Sequence, residues 1–276
     1  MKKIRMLALD IDGTILTREK KLTDRTKAAM EAVAAAGVAV VLVTGRPFYG
    51  IPEELLDVQG LQYVITSNGA VTTNLSDRST LRSANLDPET ALEIITIPRE
   101  LDLVYAAFLD GIGYCELEPF DRHLRLVHNL PIETYIRRSR RVIDDMDGLI
   151  RNAVNGVENI WFIAHDRKER DKLSKQIRSQ WKARTVLTGK ADVEVGALLA
   201  DKGLALNALA ERMHIHREEI LAIGDNGNDL GMLQTAGISV AMGNAEEAVK
   251  RMADIVTDSN EEDGAAKIME QLTRIQ

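Results

Sequence analysis

The chain has 276 residues, 45% of them hydrophobic and 28% charged, which excludes a disordered or fibrous class and leaves room for two ordinary domains. A formal net charge of -7 argues against a nucleic-acid backbone as the main partner, because such binding draws on clustered Lys and Arg. The single cysteine, Cys115, excludes an internal disulfide and fits a reducing compartment.

Met1-Lys2-Lys3 has the basic character of a signal peptide start, but Asp10 breaks the apolar stretch that follows before it reaches the usual length. Met6 to Leu9 reads instead as a buried core strand. No apolar run approaches the roughly 20 residues that cross a bilayer, so no membrane partner and a cytoplasmic location are expected. Thr23 to Ala36 is rich in helix formers and stops at Gly37, Val38 to Val43 reads as a second strand, and Leu61 to Thr66 as a third that runs into Ser67-Asn68-Gly69-Ala70. This alternation predicts an α/β fold with a doubly wound parallel, Rossmann-like sheet.

Near Ser83 the pattern changes. Val104 to Leu109 and Tyr114 to Leu117 flank Asp110-Gly111-Ile112-Gly113, which predicts a β-hairpin; Asn159 to Ala164 and Thr185 to Leu187 read as further strands, and Lys168 to Trp181 as an amphipathic helix. Trp161 and Trp181 read as core of this middle region. The first architecture returns with a helix from Lys202 to about Met213, the strand Ile220 to Ile223, a helix from about Asp229 and the strand Ile238 to Ala241. The division expected is a discontinuous core domain of residues 1–84 and 191–276, with an inserted α+β domain of residues 85–190 and hinges near 84 and 191.

Two acidic clusters stand at predicted strand ends. Asp10 and Asp12 follow Met6 to Leu9, and residues two apart in an extended segment face the same side. A calcium loop starting at Asp10 fails, because Ile15 stands where a glycine is required and Lys21 where a bidentate Glu is required. The second cluster, Gly224-Asp225-Asn226-Gly227-Asn228-Asp229, follows Ile220 to Ile223 and fails the same test at Leu230 and Ala236. If the two strands are neighbours, Asp10 and Asp225 converge. Close carboxylate pairs repel by about 4 kcal/mol at 4 Å and an effective dielectric near 20. Hard oxygen ligands of this kind suit Mg²⁺ better than zinc. His214 and His216 are set aside as a metal pair, since that spacing splays side chains on a helix.

These residues resemble the haloacid dehalogenase superfamily of phosphotransferases. Its first motif, Asp-x-Asp-x-Thr, is matched by Asp10, Asp12 and Thr14, its second by Thr44, its third by Lys202, and its fourth by Gly224, Asp225, Asn228 and Asp229. Ser67-Asn68-Gly69-Ala70, Met242-Gly243-Asn244-Ala245 and Glu262-Asp263-Gly264 look like the Cof-type phosphatase subfamily, whose α/β cap is inserted between the second and third motifs. The stretch from Glu194 to Asp201 is not a tidy copy of the family's approach to the lysine.

The resemblance implies a Mg²⁺-dependent phosphatase acting on a small phosphorylated metabolite such as a sugar phosphate. Asp10 is implied as nucleophile, Asp12 as general acid and base, and Lys202 as the cation that offsets developing charge. Ile11, Thr44, Gly45, Lys202 and Asn228 are implied as phosphate-binding residues. Asp10, Asp12 (through its backbone carbonyl) and Asp225 are implied as metal ligands, with Asp229 orienting Lys202 or a metal-bound water. A phosphoryl transferase or mutase on the same scaffold, and a non-catalytic binding protein, are the alternatives; the second is disfavoured because Asp10 and Asp12 are both present. Arg46 and Asn68 are left out of the set, Arg46 as a surface ion-pair residue and Asn68 as a turn residue.

Overall fold

Met6–Leu9 and Ala39–Val43 are buried at every position, as parallel strands covered on both faces must be. In this computed structural model, which describes residues 3–275, the strands in chain order are β1 (Met6–Leu9), β2 (Ala39–Val43), β3 (Leu61–Thr66), β4 (Val71–Asn74), β5 (Thr80–Ser83), β6 (Val104–Leu109), β7 (Ile112–Cys115), β8 (Arg140–Val142), β9 (Asn159–Ile163), β10 (Arg184–Thr188), β11 (Asp192–Gly196), β12 (Ile220–Gly224), β13 (Ile238–Ala241) and β14 (Ile255–Val256). They form one sheet ordered β14-β13-β12-β1-β2-β3-β4-β5 and another ordered β10-β11-β9-β6-β7-β8. The chain divides accordingly into two units: residues up to Gly45, Ile51–Arg82 and those from Asp201 onward make the first, and Arg46–Gly50 with Ser83–Ala200 the second.

In the first unit β1 pairs in parallel with β2 on one side and β12 on the other, Leu9 standing opposite both Leu42 and Ile223. Chain order thus reverses at β1, and doubly wound sheets bind ligands beyond the carboxyl ends of the strands at such a reversal. β4 turns back antiparallel to β3, an addition that the alternation does not foretell. The helix Asp24–Ala35 starts where the Thr23 hydroxyl accepts from the Thr26 backbone N–H at 3.1 Å and stops at Gly37, whose φ is +83°, the left-handed conformation that glycine adopts without strain. It packs against the helix Gly264–Ile275, and the Thr23 and Thr26 hydroxyls both donate to the Asp263 carboxylate, at 2.7 and 3.3 Å.

In the second unit β9 lies between β6 and β11, antiparallel to both, and β10 pairs antiparallel with β11. β6 and β7 are joined by Asp110 and Gly111, with φ of 48° and 77°, the left-handed pair that a two-residue hairpin requires. The turn is shorter than the sequence suggests: Ile112 and Gly113 belong to β7, and Leu117 opens the helix Leu117–Leu126 instead of closing a strand. One face of the sheet buries Tyr105, Ile160, Phe162 and Val193, with Trp181 partly buried against them, while Phe108, Cys115 and Trp161 pack on the other. Burial pushes the Cys115 thiol up to about 11, which leaves it unreactive near neutral pH.

The domain boundaries differ from those expected. β11 sits inside the second sheet, so the chain returns to the first unit at Ala200/Asp201 and not at 190/191. Arg46–Gly50 groups with the second unit: the Tyr49 backbone N–H donates to Gly111 O at 3.0 Å, and the Arg46 guanidinium stacks 4.8 Å from the Tyr135 ring centre. Among the described residues no helix is long and apolar enough to cross a membrane.

Candidate active site

Both acidic clusters lie at the reversal of strand order. Asp10 follows β1 directly and its backbone N–H donates to Ile223 O of β12 at 3.1 Å, so the ladder itself carries the two strand ends side by side. Beyond Asp10 the chain tightens, with the backbone N–H groups of Thr14, Ile15 and Leu16 all directed at Ile11 O. Gly13 has φ +84°, and a Cβ there would stand 2.3 Å from Asp225 Oδ2; both the conformation and the close approach exclude a side chain. The Thr14 hydroxyl donates to Asp225 Oδ1 at 3.2 Å, and the Asn244 amide donates to Gly13 O at 2.8 Å. Gly13→Ala is expected to lower stability by about 1–3 kcal/mol. A thermal midpoint indistinguishable from wild type would show that the loop relaxes around the methyl group.

Lys202 lies between Asp10 and Asp229, and what the sequence did not show is how deeply it is buried. Lys202 opens the helix Lys202–Arg212, whose first turn is capped by Asp201 accepting from the Leu204 backbone N–H at 2.9 Å. Read alone it resembles a solvated helix-start lysine; in the fold it is 1% exposed, and its Nζ donates to Asp10 Oδ1 and to Asp229 Oδ1, each at 2.6 Å. Asp229 is fully buried, and its other oxygen accepts from the backbone N–H groups of Asp225 and Asn226, both at 3.0 Å. One carboxylate therefore fixes the lysine and the start of the second acidic loop together.

Asp10, Asp225 and Asp229 each offer a carboxylate oxygen within 4.8 Å of the others. Two of these three acids, Asp10 and Asp229, bond the one ammonium, and the electrostatics follow. Burial, then the Asp229 charge, raises the Asp10 carboxyl well above its usual range, and the same two causes push Asp225 up to about 7. Burial alone would lower Lys202, but the charges of Asp10 and Asp229 outweigh it and hold the ammonium above the ordinary lysine range. A donor set of hard oxygens with excess negative charge fits a divalent cation such as Mg²⁺. Within the set, Asp10 and Asp225 are the better ligands, because Asp229 already accepts three hydrogen bonds.

Asp12 is half-buried, and its carboxylate lies outside this trio. Lys20 Nζ pairs with Asp12 Oδ1 at 2.7 Å. Thr44 is buried at the end of β2; its backbone N–H donates to Ile65 O at 2.8 Å, and its carbonyl accepts from the Asn68 N–H at 3.0 Å. Asn68, read from sequence as a turn residue only, is buried, and its Oδ1 accepts from the Asn228 side-chain amide at 3.0 Å. It touches the site residues, as does Asn244; both lie in segments that carry the subfamily resemblance, Ser67-Asn68-Gly69-Ala70 and Met242-Gly243-Asn244-Ala245, which is the signal that points to them. His214 and His216 are exposed beyond the end of the helix Lys202–Arg212, apart from the acidic trio.

The chain is similar to known proteins over nearly its whole length. The sequence model of the haloacid dehalogenase-like hydrolases matches residues 7–269. The chain is similar to the 5-amino-6-(5-phospho-D-ribitylamino)uracil phosphatase YwtE of Bacillus subtilis (strain 168), 28% identical over 286 residues that cover 98% of each chain. It is similar also to the pyridoxal phosphate phosphatase YbhA of Escherichia coli (strain K12), 28% identical over 276 residues that cover 96% of this chain and 97% of that one. The crystal structure of a haloacid dehalogenase-like hydrolase from B. subtilis superposes with a TM-score of 0.84 at 26% identity, covering 98% of this chain and 100% of that one.

Proposed function

The chain belongs to the haloacid dehalogenase-like hydrolases, and on that premise we propose that it is a Mg²⁺-dependent phosphatase that hydrolyses small phosphorylated metabolites through an aspartyl-phosphate. It is a phosphoric monoester hydrolase by family and by likeness to phosphatases along its whole length. The observation that carries the finer reading is the cluster at the carboxyl ends of β1 and β12, where Asp10 sits 2.6 Å from the buried Lys202 ammonium and shares a 4.8 Å carboxylate cluster with Asp225.

In this reading an Asp10 carboxylate oxygen attacks phosphorus and the bond to the leaving oxygen breaks, while Asp12 delivers the proton that the leaving group needs. Asp12 then takes a proton from water, the oxygen of that water attacks phosphorus, and cleavage of the acyl-phosphate bond frees inorganic phosphate and restores Asp10. Lys202, already held between Asp10 and Asp229, offsets the charge that gathers on the nucleophile and on the transferring group. Thr44, the backbone of Ile11 and Gly45, and the Asn228 amide receive the phosphoryl oxygens. Asp10, Asp225 and the backbone carbonyl of Asp12 would hold Mg²⁺, which when bound supplies positive charge against the phosphoryl oxygens.

The names of the two relatives point to two different phosphate monoesters, so the class proposed is small phosphate monoesters, with sugar phosphates the first members to test. Phosphate release should be measured over a panel of sugar, pyridoxal and ribityl phosphates. Activity is expected to fall to background with a chelator and to return with added Mg²⁺. Release that ignores the chelator would remove the metal from the reading, and an inactive enzyme across the whole panel would remove phosphatase activity.

A further inference from the structure

The loop Ser67-Asn68-Gly69 touches three separated parts of the chain around the site: Thr44-Gly45, Asp201 and Asn228. Its residues have φ of 50°, 55° and 98° in succession, and non-glycine residues in the left-handed region persist only where their surroundings over-determine them. The Asn68 backbone N–H donates to Thr44 O at 3.0 Å. A Cβ on Gly45 would stand 3.1 Å from Asn68 Oδ1, and one on Gly69 would stand 2.3 Å from the carbonyl of Asp201, the residue that caps the Lys202 helix. Asn68 Oδ1 accepts from Asn228 Nδ2 at 3.0 Å. A turn-forming asparagine typically bonds its own backbone about two residues on; this one spends its carbonyl oxygen on an amide 160 residues away.

We propose that Asn68 is a positioning residue that fixes the rotamer of Asn228, so that the remaining Asn228 N–H is aimed at the bound phosphoryl group. The inference rests on the phosphatase reading for what Asn228 binds, and it adds how Asn228 is held. A side-chain amide has two N–H donors. With one engaged by Asn68, rotation about the Asn228 side chain is stopped and the other donor has a single direction. Without Asn68 the amide samples several rotamers, and the group that should meet phosphate is there only part of the time.

The test is a double-mutant cycle on the inhibition constant of inorganic phosphate. Asn68→Gly keeps the left-handed backbone accessible and removes the side chain that carries the acceptor; Asn228→Ala deletes the donor. Each is expected to weaken phosphate inhibition by about 5- to 20-fold, and the double variant to be no weaker than Asn228→Ala alone. Losses that multiply, or an unchanged inhibition constant in Asn68→Gly, would overturn the proposal. A merely structural role would move the thermal midpoint without this non-additivity. A second measurement needs no folded Asn68 variant: in the wild-type protein the Asn228 side-chain amide, assigned by its absence from Asn228→Ala, should exchange its protons more slowly than a solvent-exposed asparagine, and equal exchange would overturn the proposal. An enzyme that neither releases phosphate nor is inhibited by it would defeat the phosphatase reading, and would overturn this inference with it, while slow amide exchange in such a protein would show that the Asn68 to Asn228 bond itself exists.

Discussion

Asp10→Asn is expected to lower kcat for phosphate release by at least about 10³-fold, some 4 kcal/mol of lost transition-state stabilisation at about 1.4 kcal/mol per decade, while the folded state is kept. The substitution is isosteric, and an amide oxygen can still accept from the Lys202 ammonium that lies 2.6 Å from Asp10 Oδ1. What is lost is a carboxylate able to form an acyl phosphate. The local electrostatics favour the change, since the native carboxyl is raised by burial and by the Asp229 charge; the thermal midpoint should therefore hold or rise. Magnesium titration separates a nucleophile from a mere ligand. If Asp10 only held the ion, an amide oxygen would ligate more weakly and high Mg²⁺ would restore the rate; as the nucleophile, no concentration of Mg²⁺ should do so. Recovery above a few per cent of wild-type kcat would defeat the assignment.

Lys202→Met should be strongly destabilising. The side chain is 1% exposed and supplies the ammonium held by the buried carboxylates of Asp10 and Asp229. Removing one partner of a buried ionic cluster typically costs about 3–5 kcal/mol, because the partners stay buried and unpaired. At about 2–4 °C per kcal/mol for domains of this size, the thermal midpoint should fall by roughly 10 °C. Removing one of the excess charges as well should recover part of the loss, so Lys202→Met/Asp229→Asn should melt above Lys202→Met. The sign of the pH dependence follows from the carboxyls: a group whose folded pKa is raised opposes folding increasingly as pH climbs from its unfolded value through its folded one. Asp225, pushed up to about 7 by burial and the Asp229 charge, shares the cluster, so the deficit measured in chelator should be smaller at pH 5 than at pH 8. A midpoint within 2 °C of wild type at pH 8 would mean that solvent reaches these acids.

The parts of this molecule that were legible in the sequence are those in which one periodic signal meets one chemical signal. β1 and β12 are continuous apolar runs ending in carboxylates, and a strand of that kind has few other places to go than the middle of a parallel sheet. β11 is less plain: Asp192–Gly196 alternates polar and apolar residues around Val193 and Val195, a pattern that marks a two-faced antiparallel strand, and the expected boundary cut it from the sheet that it completes. Arg46–Gly50 adjoins Thr44 and Gly45 in sequence, yet it follows Tyr135 and Gly111 into the second unit, a long-range preference that no local pattern carries. The same holds for the depth of Lys202 and for the bond from Asn228 to Asn68, since both depend on which distant segments close over them.

The two neighbours of β1 are far apart in the chain: β2 ends at Val43, and β12 begins only at Ile220. At about 5–20 residues per second on the ribosome, roughly 10–35 s of synthesis separate them. Through that interval one side of a wholly apolar strand has no partner, which is the condition under which nascent chains pair wrongly or call on chaperones. On the proposed mechanism catalytic competence arrives late and at once, because the strand that seals the edge of β1 is also the one that delivers Asp225. A chain released early from translation would have its first carboxylate and no means of using it.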